Sequence, residues 1–217
     1  MKGSLKKLTV FVTIAAMTIF VVAATASAGD RPGKTIHGVY GWTGPLYCIF
    51  TPDGFNENGI PNNPQSLLSS SATVQGTITF NHDGTGKVLF TGVGINPPVN
   101  PPPPNYFAGA GLYEASYEHT YNIASNGAIT IDAKLNTYVQ NFLTGPNKGA
   151  VLYIDIWPLT GWISVDHKTI TIAGPEPTVT TNTIVLPFPP GFSLTSYSIC
   201  NASFTLVRIG GHEKDTE

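Results

Sequence analysis

The sequence predicts an all-β fold, an antiparallel up-and-down barrel of about eight to ten strands. Three observations carry that prediction. After residue 28 no segment spaces its apolar residues with a helical period, whereas many alternate with a period of two. Short clusters of Gly, Asn, Asp and Pro separate those runs, and these are the residues that turn a chain back on itself. Two cysteines, Cys48 and Cys200, stand near opposite ends of the chain, so a disulfide between them makes the first and last strands neighbours. A meander whose ends meet is best satisfied by closure, which removes exposed strand edges. A two-sheet sandwich is the competing arrangement.

The N-terminus is read separately. Lys2, Lys6 and Lys7 precede an uncharged apolar run from Leu8 to Val22, followed by small residues in the A-x-A arrangement at Ala24 to Ala28. This is the pattern of a cleaved signal peptide over residues 1–28, and the run is shorter than the roughly 20 apolar residues of a membrane span. The remainder divides into one β-domain, 29–209, and a polar, flexible tail, 210–217. The expected location is exported, periplasmic or extracellular, with no transmembrane segment after cleavage. Removal of residues 1–28 leaves eight Lys+Arg against thirteen Asp+Glu, a net charge of about −5. The basic residues are scattered singly, which disfavours a nucleic-acid or anionic-membrane partner. In an exported chain the Cys48–Cys200 pair is expected to be oxidised, closing a loop of about 150 residues and contributing about 5 kcal/mol by chain entropy.

The strands follow in order. Thr35 to Trp42 opens the sheet. Thr73 to Phe80 places Val74, Ile78 and Phe80 on one face and threonines and Gln75 on the other, and turns through Asn81 to Gly86 into Lys87 to Val93. Tyr113 to Ile123 turns through Ser125-Asn-Gly127 into Ala128 to Tyr138, with Ile129, Ile131, Ala133 and Leu135 on its inner phase. Further strands are expected at Ala150 to Trp157, Gly161 to Val165, Thr169 to Ala173, Thr183 to Leu186 and Ser198 to Ile209. Proline-rich connections, including residues 97–104 with four consecutive prolines, read as stiff loops at the ends of the sheet. An outer-membrane barrel is excluded for most strands, because their outward positions are Thr, Glu, Gln, Asp and Lys rather than apolar.

The opening strand, His37-Gly-Val-Tyr-Gly-Trp42, is similar to the Gly-x-Trp start of lipocalins and related calycins, and the last strand, Cys200 to Arg208, carries Arg208 in phase with Cys200, Ala202, Phe204 and Leu206. The resemblance implies a calycin-like barrel in which Trp42 or Tyr40 packs against Arg208 at the closed end.

The candidate site is the strand Tyr113-Glu-Ala-Ser-Tyr-Glu-His-Thr-Tyr121. Its inner face, Tyr113, Tyr117, His119 and Tyr121, either fills a packed core or lines a ligand pocket, since small barrels do one or the other. Tyrosine and histidine join apolar bodies to polar tips, the mixture that pockets use. Asp155, with Tyr153 and Trp157 on its own face, is a carboxylate among aromatics, where burial would raise its pKa, and His119 is suited to acid–base work. Asp155 and Trp157 therefore join the expected site. No nucleophile elbow, metal-binding helix or phosphate loop occurs, so no catalytic residue, metal or cofactor is assigned and enzymatic activity stays open, leaning against. Asp53, Glu57, His82-Asp83 and Asp166-His167 fall in turns, where they serve local hydrogen bonding. Three functions compete: an exported barrel holding a small apolar ligand, a structural or surface-associated β-protein without one, and a calycin-like isomerase or hydrolase.

Overall fold

The structure, a computed structural model, describes residues 36–99, 108–156, 158–174, 177–188 and 192–210. The expected signal peptide, Trp157, residues 100–104 of the proline-rich loop and the tail beyond Gly210 lie outside the described residues.

Among the described residues, eleven strands form one antiparallel sheet: β1 (Gly38–Thr51), β2 (Leu68–Phe80), β3 (Thr85–Asn96), β4 (Gly109–Ile123), β5 (Ala128–Ala133), β6 (Val139–Phe142), β7 (Val151–Ile154), β8 (Leu159–Ile163), β9 (Thr169–Ala173), β10 (Val179–Val185) and β11 (Ser193–Gly210). The excess over the expected eight to ten comes from interruption of single strands. β5 pairs with residues 119–123 of β4 and β6 with residues 113–116 of the same strand. Between them the chain turns at Lys134–Thr137, with Thr137 N–H donating to Lys134 O at 3.2 Å and Asn136 left-handed at φ 61°. The single strand expected from Ala128 to Tyr138 therefore breaks, and Leu135, expected inside, is 68 % exposed in the turn.

The pairing closes on itself twice. One circuit runs β1-β2-β3-β4-β5-β8-β9-β11 and back to β1, and the other replaces β5, β8 and β9 with β6, β7 and β10. The long strands β1 to β4 and β11 are shared. The remaining wall is split across its height, with β5, β8 and β9 at one end and β6, β7 and β10 at the other.

β1 and β11 are neighbours, as the cysteines require. Cys48 stands directly opposite Cys200, and their sulfurs are bonded at 2.02 Å. Pro45 sits inside β1, where its missing N–H removes a ladder bond. The β1–β11 register accordingly runs from Thr43 opposite Thr205 to Leu46 opposite Ala202, with no pair recorded at Gly44 and Pro45.

The strand Tyr113 to Tyr121 meets β3 with large residues facing small ones: His119 opposite Gly86, Tyr117 opposite Val88, Ala115 opposite Phe90, Tyr113 opposite Gly92. A side chain on Gly92 would collide with the Tyr113 ring, its Cβ falling 2.5 Å from the hydroxyl. Of the expected inner set, Val74, Ile78, Phe80, Ile129, Ile131 and Leu206 are buried and Phe204 is half-buried, while Glu114 and Glu118 face outward.

Candidate functional site

Inward residues differ in size between the two ends of the shared strands. At the β5-β8-β9 end, Ile78 and Phe80 of β2, Val88 of β3, His119 of β4 and Leu206 of β11 are each buried to 2 % exposure or less. Tyr40 and Tyr121 both meet Phe80 edge-on, at centroid distances of 5.4 and 5.0 Å. This end is packed solid. Toward the other end the same strands turn inward many small residues, Ser70 and Ala72 (β2), Gly94 (β3), Gly111 (β4) and Ser196, Ser198 and Ala202 (β11), beside a few large ones such as Leu46 and Phe50 (β1), Leu68 (β2) and Leu194 (β11). The small side chains do not fill the space the sheet encloses, and a cavity of about 670 Å³ remains.

The floor of the cavity is aromatic. Trp42 packs against Phe90 and Phe204 with ring centroids 5.5 and 4.7 Å apart, and Tyr117 stacks beside Tyr138 at 6.1 Å. Leu152 and Ile154 of β7 and Ile184 of β10 form an aliphatic wall, and the Cys48–Cys200 disulfide between β1 and β11 also lines the cavity. Pro52, Asp53, Gly109 and Pro146 line the same cavity and are exposed, which marks its opening.

Three buried polar residues interrupt the apolar lining: Gln140 and Asn182, each 7 % exposed, and Ser198 at 4 %. The Tyr138 hydroxyl donates to Gln140 Oε1 at 2.6 Å, and the Ser198 hydroxyl donates to Asn182 Oδ1 at 3.4 Å while pairing with Thr180 Oγ1 at 2.8 Å. Asn147 Oδ1, in the same lining, is buried without a hydrogen-bond partner. Burial raises the Tyr113, Tyr117 and Tyr138 phenols well above their ordinary value of 10.0, so all three stay neutral.

The structure divides the expected site. Tyr113 and Tyr117 line the cavity, but His119 and Tyr121 belong to the packed end. His119 Nε2 lies 3.1 Å from Thr79 O, donating to it, and burial lowers its pKa below 6.5, offset in part by backbone hydrogen bonds. The Tyr121 hydroxyl lies 2.6 Å from Asn81 O and 2.8 Å from Ile36 O, which share its proton. Asp155 is exposed, and Tyr153 with it, because Leu152, Ile154 and Ile156 take the inner phase of that segment. The expectation that Tyr153 and Asp155 face inward is thus corrected by one residue of register. His119 and Asp155 consequently form no acid–base pair.

At the packed end Tyr40 is fully buried, stands opposite Arg208 and donates its hydroxyl to His167 O at 2.7 Å. Trp42 pairs instead with Leu206, one step inward, and serves the cavity floor. The turn aspartates act locally: Asp83 Oδ1 accepts from the Thr85 N–H at 3.0 Å and hydroxyl at 2.6 Å, and Asp166 Oδ1 from the Lys168 N–H at 3.1 Å and the Ser164 hydroxyl at 2.6 Å. Among the described residues no group of three or more His, Cys, Asp or Glu could hold a metal ion, and no helix is long and apolar enough to cross a membrane.

Sequence reasoning missed Gln140 and Asn182. The available signal was a polar residue on the inward phase of a short strand, which becomes readable only once β6 and β10 are placed. No protein family, curated protein or solved structure matches the chain.

Proposed function

We propose that this chain is an exported carrier, a calycin-like up-and-down barrel that holds a small apolar ligand in its hollow end. The observation that carries the reading is the cavity itself: about 670 Å³ falls within the roughly 300–1,000 Å³ of small-molecule sites. Its aromatic floor and aliphatic wall supply the apolar contact such a ligand needs, and its polar groups are few. Removing a ligand of this kind from water contributes about 25 cal/mol per Å² of apolar surface buried. Each half of the split wall makes a circuit of eight strands with the shared ones, the size at which a small barrel either fills or holds one ligand. Export is supported by the charged, apolar and small-residue order of residues 1–28 and by a disulfide of the sort that persists in oxidising compartments.

The test is uptake of a neutral fluorescent probe, N-phenyl-1-naphthylamine, by the mature protein. A saturable rise in emission is expected, lost in Ala72→Phe, which puts a ring into the cavity. No uptake by the wild type overturns the reading. A surface-associated protein without a ligand is the second reading, favoured by the exposed outer strip Leu89, Val93 and Ile95 on β3 beside Leu112 on β4. Such patches mark contact with other molecules when they are contiguous.

A further inference from the structure

We infer that the ligand of this cavity is electrically neutral and carries a hydrogen-bond acceptor, such as the carbonyl of a ketone, aldehyde or ester, on an otherwise apolar body. The inference rests on the carrier reading and narrows it to a chemical class.

Two features fix the class. The first is charge. Among the described lining residues the only Asp, Glu, Lys, Arg or His is Asp53, and it is exposed at the opening. No Lys, Arg or His is among them. A carboxylate or phosphate drawn into this interior would lose its hydration without gaining a cation, and a buried charge without a partner is strongly unfavourable.

The second is the direction in which the buried amides point their hydrogen bonds. Gln140 and Asn182 are both more than nine-tenths buried in the cavity wall. Each has its amide oxygen already engaged by a hydroxyl donor, Tyr138 in one case and Ser198 in the other. With the oxygen occupied, each residue has only its NH₂ group to offer a ligand. A ligand that displaces water from such a donor avoids leaving it unmet only by supplying an acceptor. The two residues flank one strand: Gln140 is opposite Leu152 of β7, and Asn182 is opposite Ile154 of the same strand. Two strands apart is roughly 10 Å, so the donors border an aliphatic strip between them. An apolar body lying on Leu152 and Ile154 with a carbonyl at one margin meets both features.

The experiment is a competition series against the neutral naphthylamine probe, using four C14 compounds: tetradecane, 2-tetradecanone, tetradecanoate and tetradecylammonium. The ketone should displace the probe about tenfold or more tighter than the carboxylate and the ammonium, and about fivefold tighter than the alkane, the range that one recovered buried hydrogen bond supplies. Gln140→Leu and Asn182→Leu should shrink the ketone-over-alkane margin. Equal displacement by ketone and alkane in the wild-type protein, or preference for tetradecanoate, overturns the inference while leaving the carrier standing. Failure of the probe itself to bind overturns the carrier reading and this inference with it. The wild-type series decides the matter even if a variant fails to fold.

Discussion

The two ends of this closed sheet are built from the same five long strands, yet one is packed and the other hollow. The difference lies in which residues occupy the inward phase. Along β2 that phase reads Phe80, Ile78, Gly76, Val74, Ala72, Ser70, Leu68 from the packed end outward, and along β11 it reads Leu206, Phe204, Ala202, Cys200, Ser198, Ser196, Leu194. In both strands a run of small side chains, Ala72 and Ser70 on β2 and Ala202 to Ser196 on β11, falls at the hollow end, while strand spacing is fixed near 4.8 Å by the backbone ladder. The enclosed space cannot shrink with its contents. A cavity is the consequence of small residues on a rigid frame, and the split wall, where β5, β8 and β9 give way to β6, β7 and β10, coincides with that change.

The largest effect should come from cutting the frame. The Cys48–Cys200 bond closes a separation of 152 residues, and its removal in Cys48→Ser/Cys200→Ser is expected to cost about 5 kcal/mol on the chain-entropy model, measured by denaturant unfolding. Because the bond lines the hollow end, its loss should also weaken probe binding. Unchanged probe affinity in the folded double variant would separate the disulfide from the cavity.

Paired leucine truncations sharpen the contrast. Leu206, fully buried at the packed end, should lose about 3–5 kcal/mol as Leu206→Ala, since its neighbours cannot collapse into the hole. Leu152→Ala, in the wall of an existing cavity, should lose about 1 kcal/mol, because part of its surface has no packing partner to forfeit. Equal losses, read from unfolding midpoints, would say that the two ends are packed alike. Enlargement gives the mirror image: Val88→Phe overfills the packed end and costs about 1–3 kcal/mol, whereas Ala72→Phe enters free space and should leave stability within about 1 kcal/mol of wild type.

The smallest predicted effect is a pH dependence confined to the packed end. Burial lowers the His119 pKa below 6.5 in the folded protein, so the unfolded chain binds the proton more readily. The stability contributed by keeping this imidazole neutral is complete above pH 6.5 and is lost as pH falls from there toward the folded-state pKa. Thermal unfolding midpoints should decline on acidification over that window, and the decline should flatten in His119→Leu. A parallel decline in the variant would assign the effect to other groups.

Much of this fold could be read from alternation. Each long strand has one dry face, so Val74, Ile78, Phe80, Tyr113, Tyr117, Ile129 and Ile131 declare their phase, and the cysteine pair places β1 beside β11. Residues 150–157 misled for a physical reason: Tyr153, Asp155 and Trp157 alternate as regularly as Leu152, Ile154 and Ile156, and aromatic bulk pointed to the wrong phase. Aliphatic side chains, with no polar tip to satisfy, took the inner face instead. The candidate strand hid its division for a different reason. Tyr113 and Tyr121 are alike in sequence, and what separates them is what stands across the enclosed space: Ser70, Ala72 and Ser196 line the end with Tyr113, whereas Phe80 and Ile36 pack against Tyr121. That neighbourhood depends on register, which alternation alone leaves undetermined.

Amide hydrogen exchange, compared with and without a saturating neutral apolar ligand, tests the central claim most directly. A ligand held in the hollow end should slow exchange in β6 (Val139–Phe142), β7 (Val151–Ile154) and β10 (Val179–Val185) and leave β5 (Ala128–Ala133), β8 (Leu159–Ile163) and β9 (Thr169–Ala173) unchanged. Protection of β5, β8 and β9 to the same degree, or no protection in β6, β7 and β10 at saturation, would contradict the division of the molecule into a packed end and a binding end.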